Sequence, residues 1–227
     1  MMDNKIRLIT RLVAVMVVPF LWLAFVILYV YPDSTGERFA WAIEQHLTAM
    51  YMGAGYLGGS WLFINALIGR RWHRIQHGFL PIATFTWFMM VSTFLHWERF
   101  SHGKLGFTLW SILYVITPFL VPALWLFNRK ADTGQPEDMD LTVPSAIRWI
   151  LKMVALGLLT VVVIGFMNPG LVISIWPWIL TALTARVMCG WGALLGVGSL
   201  ALSGETRWSG WKVPLESIAI WHMLVLI

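Results

Sequence analysis

The sequence predicts an all-α fold: a polytopic membrane helix bundle of about seven transmembrane helices with its N-terminus in the cytoplasm. Three observations predict it. Apolar residues make up 59% of the 227-residue chain and charged residues only 12%, against roughly 45–50% and about 25% in soluble domains. Apolar runs close to the roughly 20 residues needed to cross a bilayer recur along the whole chain. The basic residues fall on alternate loops, as cytoplasmic retention of Lys and Arg requires.

The runs lie at 12–31, 47–68, 80–96, 107–127, 146–167, 178–202 and 213–227. The first follows a short basic N-terminus, but it is too long for a signal peptide and no small-residue cleavage site follows Tyr31, so it reads as a retained span. The third and seventh runs are short. All belong to a single membrane domain, 1–227, in which a polar, acidic linker at 131–141 separates a four-helix half from a three-helix half.

With the N-terminus inside, twelve of the sixteen Lys and Arg residues fall on the inner side; Arg38, Arg99 and Lys104 fall outside, and Arg186 falls within a span. An added or missing helix would scramble that alternation. The net charge of +5 is thereby explained by orientation, and no nucleic-acid partner is expected. Trp41, Trp97, Trp176 and Trp178 mark the outer ends of spans, and Trp72, Trp125, Trp149 and Trp208 the inner ends, as interfacial aromatics do. The single cysteine, Cys189, excludes an intrachain disulfide.

A faint repeat is visible. Shifting the chain by 137 residues lays Trp41 on Trp178, Gly53 on Gly190, Gly55 on Gly192 and Gly59 on Gly196; a one-residue slip instead aligns Leu47-Thr48-Ala49 with Leu183-Thr184-Ala185. Both spans run from outside to inside, so the repeat is parallel, with its axis along the membrane normal. The pairs Gly55/Gly59 and Gly192/Gly196 form small-residue stripes expected to face another helix rather than lipid.

Ionisable groups inside spans mark sites because they are costly there. Arg186 is the clearest, and it either snorkels to the outer headgroups or sits in a polar pocket with an acid, Glu44 or Glu98, as partner. Around it, at the outer ends of the second and third spans, gather Glu44, His46, His96, Glu98 and His102. Two histidines and two carboxylates suit a divalent metal, and two histidines on neighbouring helices suit a haem, although polar residues also collect wherever helices meet water. His73 and His77, beside Arg70, Arg71 and Arg74, read as a headgroup-facing patch. The chain carries no Walker loop, dinucleotide fingerprint, HExxH or nucleophile elbow, and no catalytic residue is assigned.

Four segments together carry a resemblance: Phe39-Ala40-Trp41; Leu47-Thr48-Ala49 through Gly53-Ala54-Gly55-Tyr56; His96-Trp97-Glu98-Arg99-Phe100; and Trp176-Pro177-Trp178 leading to Leu183-Thr184-Ala185-Arg186. In these the chain resembles a group of uncharacterised bacterial multi-pass membrane proteins with no assigned activity. The resemblance implies a bacterial cytoplasmic membrane and supplies no catalytic residues. The leading expectation is a non-enzymatic protein binding a small ligand, ion or lipid at its outer face through Arg186, Glu44, Glu98, His46 and His96, transporter-like or an accessory subunit. The alternatives are a haem- or metal-binding redox protein using His46 and His96, and a structural subunit of a larger membrane complex. Membrane lipids are the expected partners, with other membrane proteins in the last case.

Overall fold

The structure is a computed structural model that describes residues 3–227; the first two residues of the predicted 1–227 domain lie outside it. Among the described residues it is helical, with nine α-helices and two isolated β-bridges. The helices are α1 (Leu8–Phe25), α2 (Thr35–Arg38), α3 (His46–Ile68), α4 (Gln76–Leu95), α5 (Leu105–Asn128), α6 (Ser145–Met167), α7 (Pro169–Ile175), α8 (Ala182–Ser203) and α9 (Trp208–Val225). A π-helical turn, Val26–Val30, extends α1 before Pro32 breaks it.

Each of the seven long helices overlaps one predicted run. Five of them, with α1 counted through Val30 and α5 through Ala131, are long and apolar enough to cross a membrane. The other two, α3 and α9, are long enough but less apolar. In α3 the reason is its place in the bundle: it packs on both α1 and α9, and Gly53, Gly55 and Gly58 are buried on it. A helix surrounded by helices needs small contact residues more than apolar bulk. The outermost, α6, packs on α8 and α7 and leaves Ile150, Met153, Val161 and Ile164 exposed.

The ends of the bundle are defined by contacts between loops. At one end the N-terminal segment and the three loops predicted to lie inside come together: Trp72 N donates to Asn4 O at 2.8 Å, Asn4 N to Ala131 O at 2.9 Å, and Val143 N to Thr206 O at 2.8 Å. At the other, Ser101 N donates to Ala40 O at 2.8 Å and Trp178 Nε1 to Thr48 Oγ1 at 2.7 Å.

The two halves repeat each other. The pair α1–α3 is matched by α6–α8, and α3–α9 by α8–α4. The antiparallel bridge Lys5–Arg71 is matched by Thr142–Arg207, and the bond Trp72 N to Asn4 O by Trp208 N to Leu141 O at 2.9 Å. Between helices, Trp22 on Ser60 corresponds to Leu159 on Gly196, and the place where a side chain on Gly53 would meet Leu28 corresponds to Cys189 against Gly165. These pairs use an offset of 137 in α1/α6 but 136 from α3/α8 onward. The extra residue sits in the longer connection before α3. The spatial register is therefore the slipped one that aligns Leu47-Thr48-Ala49 with Leu183-Thr184-Ala185, and the Gly-on-Gly register is not used. Since α3 and α8 run the same way, the repeat is parallel. Two contacts fall on its axis: Gly55 against the Trp191 ring, and His73 Nε2 at 3.0 Å from Ser209 Oγ. Helix α5 has no counterpart among the described helices.

The stripes separate accordingly. Gly192 and Gly196 face Val162 and Leu159 of α6, as expected. Gly59 touches no helix: no atom lies within 4 Å of where its Cβ would be, and it lines cavities walled by residues of α4 and α8. The close approach of α3 to α9 is made one residue earlier, at Gly58, where a Cβ would lie 2.5 Å from Ser217 O.

Candidate functional site

Arg186 is the fifth residue of α8, at the end opposite the N-terminus. Its partner is not an acid. Arg186 Nε donates to Phe166 O at 3.1 Å, Nη1 lies 2.6 Å from His96 Nε2, and the guanidinium stands over the Phe166 ring at 5.8 Å. The expected carboxylates fail for a geometric reason. Helix α4 ends at Leu95 and a 3-10 turn, Trp97–Arg99, turns the chain outward, so that His96 reaches Arg186 while Glu98 is exposed. Glu44 is exposed as well, and His46 pairs with Asp33 at 2.7 Å. Of the five predicted site residues, Arg186 and His96 are brought together and Glu44, Glu98 and His46 are not.

A guanidinium can only donate, so His96 Nε2 must accept and its proton sits on Nδ1. Burial first, then Arg186 and Arg99, hold His96 below the ordinary imidazole value, which favours that neutral ring. The result is a pocket of donors. Three of the five guanidinium N–H groups and the His96 Nδ1–H have no protein acceptor among the described residues, and no carboxylate is ion-paired with Arg186. One ring nitrogen of each histidine is engaged with protein, His96 Nε2 by Arg186 and His46 Nε2 by Asp33. Among the described residues no group of three or more His, Cys, Asp and Glu is arranged to hold a metal.

The opposite pattern occupies the N-terminal end. Arg207, buried there, binds Glu205 through Nε at 2.8 Å and Nη2 at 2.6 Å, and Asp132 through Nη1 at 2.9 Å and Nη2 at 2.8 Å. His77 Nε2 lies 2.9 Å from Glu205 Oε2, Gln76 binds Asp132, and Arg71 and Arg74 both reach Glu137. His73 and His77 are thus members of a buried polar network, with His73 fully buried, and not a headgroup-facing patch. Burial pushes Asp132 up, but hydrogen bonds from Arg207, Gly134 N–H and Gln76 outweigh it and hold the acid at about 2. The Arg74 hydrogen bonds hold Glu137 at about 2 against burial. Burial also raises Glu205, yet Arg207 and His77 bring it well below the carboxylate range.

Ser209 stands within hydrogen-bond reach of both His73 and Asp140, the three residue types of a hydrolase triad, but with the serine and not the histidine in the middle. The proton directions are wrong for catalysis. Asn4 Oδ1 accepts from His73 N at 3.1 Å, so the Asn4 amide nitrogen donates to His73 Nδ1 at 2.6 Å and the ring carries its proton on Nε2. That N–H points at Ser209 Oγ and Glu137 Oε1, and the serine gives its own proton to Asp140. His73 therefore cannot take a proton from Ser209, and the cluster is a closure between halves. Sequence reasoning missed it, although the doubled Arg-Trp at Arg71-Trp72 and Arg207-Trp208, facing an acidic linker, was its signal.

The chain matches no family model, curated protein or solved structure.

Proposed function

We propose that this chain is a seven-span protein of the bacterial cytoplasmic membrane, N-terminus inside, that binds an anionic group at its outer end through Arg186 and His96. The observation that carries this reading is the donor-only pocket: unused N–H groups from a cation and a neutral ring, with no acceptor among them, recognise an oxyanion such as a lipid phosphate or carboxylate. The fold does not need the charge. The repeat-related position in α3 is Met50, so the arginine is an addition to one half. The parallel repeat supports the transporter-like form of the reading, because transporters of that construction bind substrate between their halves. Membrane lipids are the natural source of the ligand.

Two experiments test it. In nanodiscs, titration with phosphatidylglycerol should show saturable binding that phosphatidylcholine does not, and an inorganic-phosphate arm separates a free anion from a headgroup. Arg186→Gln should weaken binding roughly tenfold or more, the size of lost charge-assisted hydrogen bonds, and Arg186→Lys should not restore it because lysine lacks the planar fork. Parent-like binding by Arg186→Gln would sink the site. For orientation, a cysteine placed in the loop 70–75 of intact cells should resist an impermeant thiol reagent and react after lysis; labelling without lysis would overturn it.

A further inference from the structure

A cavity of about 480 Å³ opens between α1 and α5. That volume lies within the roughly 300–1,000 Å³ of small-molecule sites. Its walls are apolar, from Leu21, Ala24 and Ile27 of α1 and Leu109 and Leu113 of α5, with Arg38 at its mouth. Tyr56 and Tyr114 line it, with their hydroxyls 2.7 Å apart.

The hydroxyl pair has no structural need to be there. Both tyrosines are buried, at 4% and 3% exposure, about ten residues into their helices, near mid-membrane. Two hydroxyls carry two protons, and their mutual bond uses one. The other has no protein acceptor among the described residues, so each molecule holds an O–H donor, at a depth where unmet polar groups are costly, on the wall of an open cavity. Phe39, Trp110 and Tyr114 stand together beside it, with Trp110–Tyr114 centroids at 4.2 Å and Phe39–Trp110 at 5.6 Å.

We infer that this cleft binds a quinone-type ligand, a neutral ring bearing a carbonyl on an apolar tail, with the carbonyl accepting from the Tyr56–Tyr114 pair and the tail leaving between α1 and α5. The free donor calls for an acceptor and the aromatic wall for a flat head. The depth selects charge: a phospholipid ester could reach the tyrosines only by drawing its phosphate into the hydrocarbon, whereas a quinone head carries no charge. The site is distinct from the Arg186 pocket, and neither proposal depends on the other.

The test is titration of decylubiquinone into the protein in nanodiscs, followed by quenching of tryptophan fluorescence. Saturable binding is expected, with Trp110→Phe removing a large part of the quench. Tyr56→Phe and Tyr114→Phe should each weaken binding roughly fivefold, the worth of one neutral hydrogen bond, and decane should not compete. Leu113→Trp, which fills the cleft without touching the hydroxyls, should abolish binding and so covers the case in which a tyrosine variant misfolds. Binding undiminished by both tyrosine changes, equal competition by decane, or undiminished binding by Leu113→Trp would each overturn the proposal.

Discussion

The two halves of the bundle keep the same contacts with different residues, and the differences sort by polarity. Where the halves meet the lipid or each other's helices, exchange is by volume: Trp22 on Ser60 in one half is Leu159 on Gly196 in the other, and the Gly55–Trp221 contact is answered by Trp191–Phe85. In the first pair the large residue stays on the outer helix and the small one on its neighbour; in the second a glycine against a ring is answered by two rings. Where the halves meet polar surroundings, the exchange changes chemistry. Asn4 and Asp140 both accept from a backbone N–H, of His73 just before α4 and of Ser209 in the first turn of α9, but only one is charged. Met50 answers Arg186, and half-exposed Arg71 answers buried Arg207. Packing preserves the repeat; at Met50/Arg186 the charge is present in one copy only, while at Arg71/Arg207 the charge is shared and its burial differs.

The two arginines give the largest test of that contrast. Arg207→Met leaves Asp132 and Glu205 in a buried site without their cation, which typically costs about 3–5 kcal/mol. Arg71→Met removes one exposed pairing of Glu137, which Arg74 still holds, and should cost less than about 1 kcal/mol. Thermal and denaturant unfolding in detergent would compare them, and equal losses would break the comparison. Acid should reproduce the larger effect. Asp132, Glu137 and Glu205 all have lowered values, so their contribution is present above the ordinary carboxylate range near 4 and is lost as pH falls from there through about 2. The parent should therefore begin to lose stability below the ordinary imidazole range near 6.5, where His73 and His96, both held low by burial, must charge, and lose more below the carboxylate range, while Arg207→Met should show a flatter limb in that lower part. A parent that melts alike at pH 6 and pH 3 would contradict the network.

How much of this was legible in the sequence follows from the range of each interaction. Helix positions were legible because hydrocarbon forces every backbone group into a local bond, so an apolar run reports a helix without reference to its neighbours. The grouping of loops at two ends was legible through the alternation of Lys and Arg. Arg186 was legible because a charge in a span stands out. Its partner was not. Whether Glu98 or His96 meets Arg186 depends on a single 3-10 turn after Leu95, one residue either way, and helix ends are not read to that accuracy. The inner network was hidden for a different reason: Asp132, His73, Glu205 and Ser209 come from three loops, each of which alone looks like an ordinary polar turn.

The smallest expected effect separates register from composition. Gly58 and Gly59 are adjacent and of one residue type, and a spacing rule that pairs Gly59 with Gly55 selects the wrong one. A Cβ on Gly58 would sit 2.5 Å from Ser217 O and 3.0 Å from Trp221 Cβ, groups fixed by the backbone of α9. Gly58→Leu must push α3 and α9 apart, a cost of about 1–3 kcal/mol for overpacking. Gly196→Leu meets the mobile end of Leu159 at 2.8 Å and should cost less. Gly59→Leu enters open space and should be close to neutral in an unfolding measurement. The counterpart of Gly58 in the second half is Leu194, so that half already holds a large residue at the position the first half keeps empty. Trp221→Ala keeps Ser217 O and the Cβ and backbone nitrogen at position 221, so it should not rescue Gly58→Leu. A double variant clearly more stable than Gly58→Leu alone would show that the clash lies with the indole ring and not with the backbone of α9.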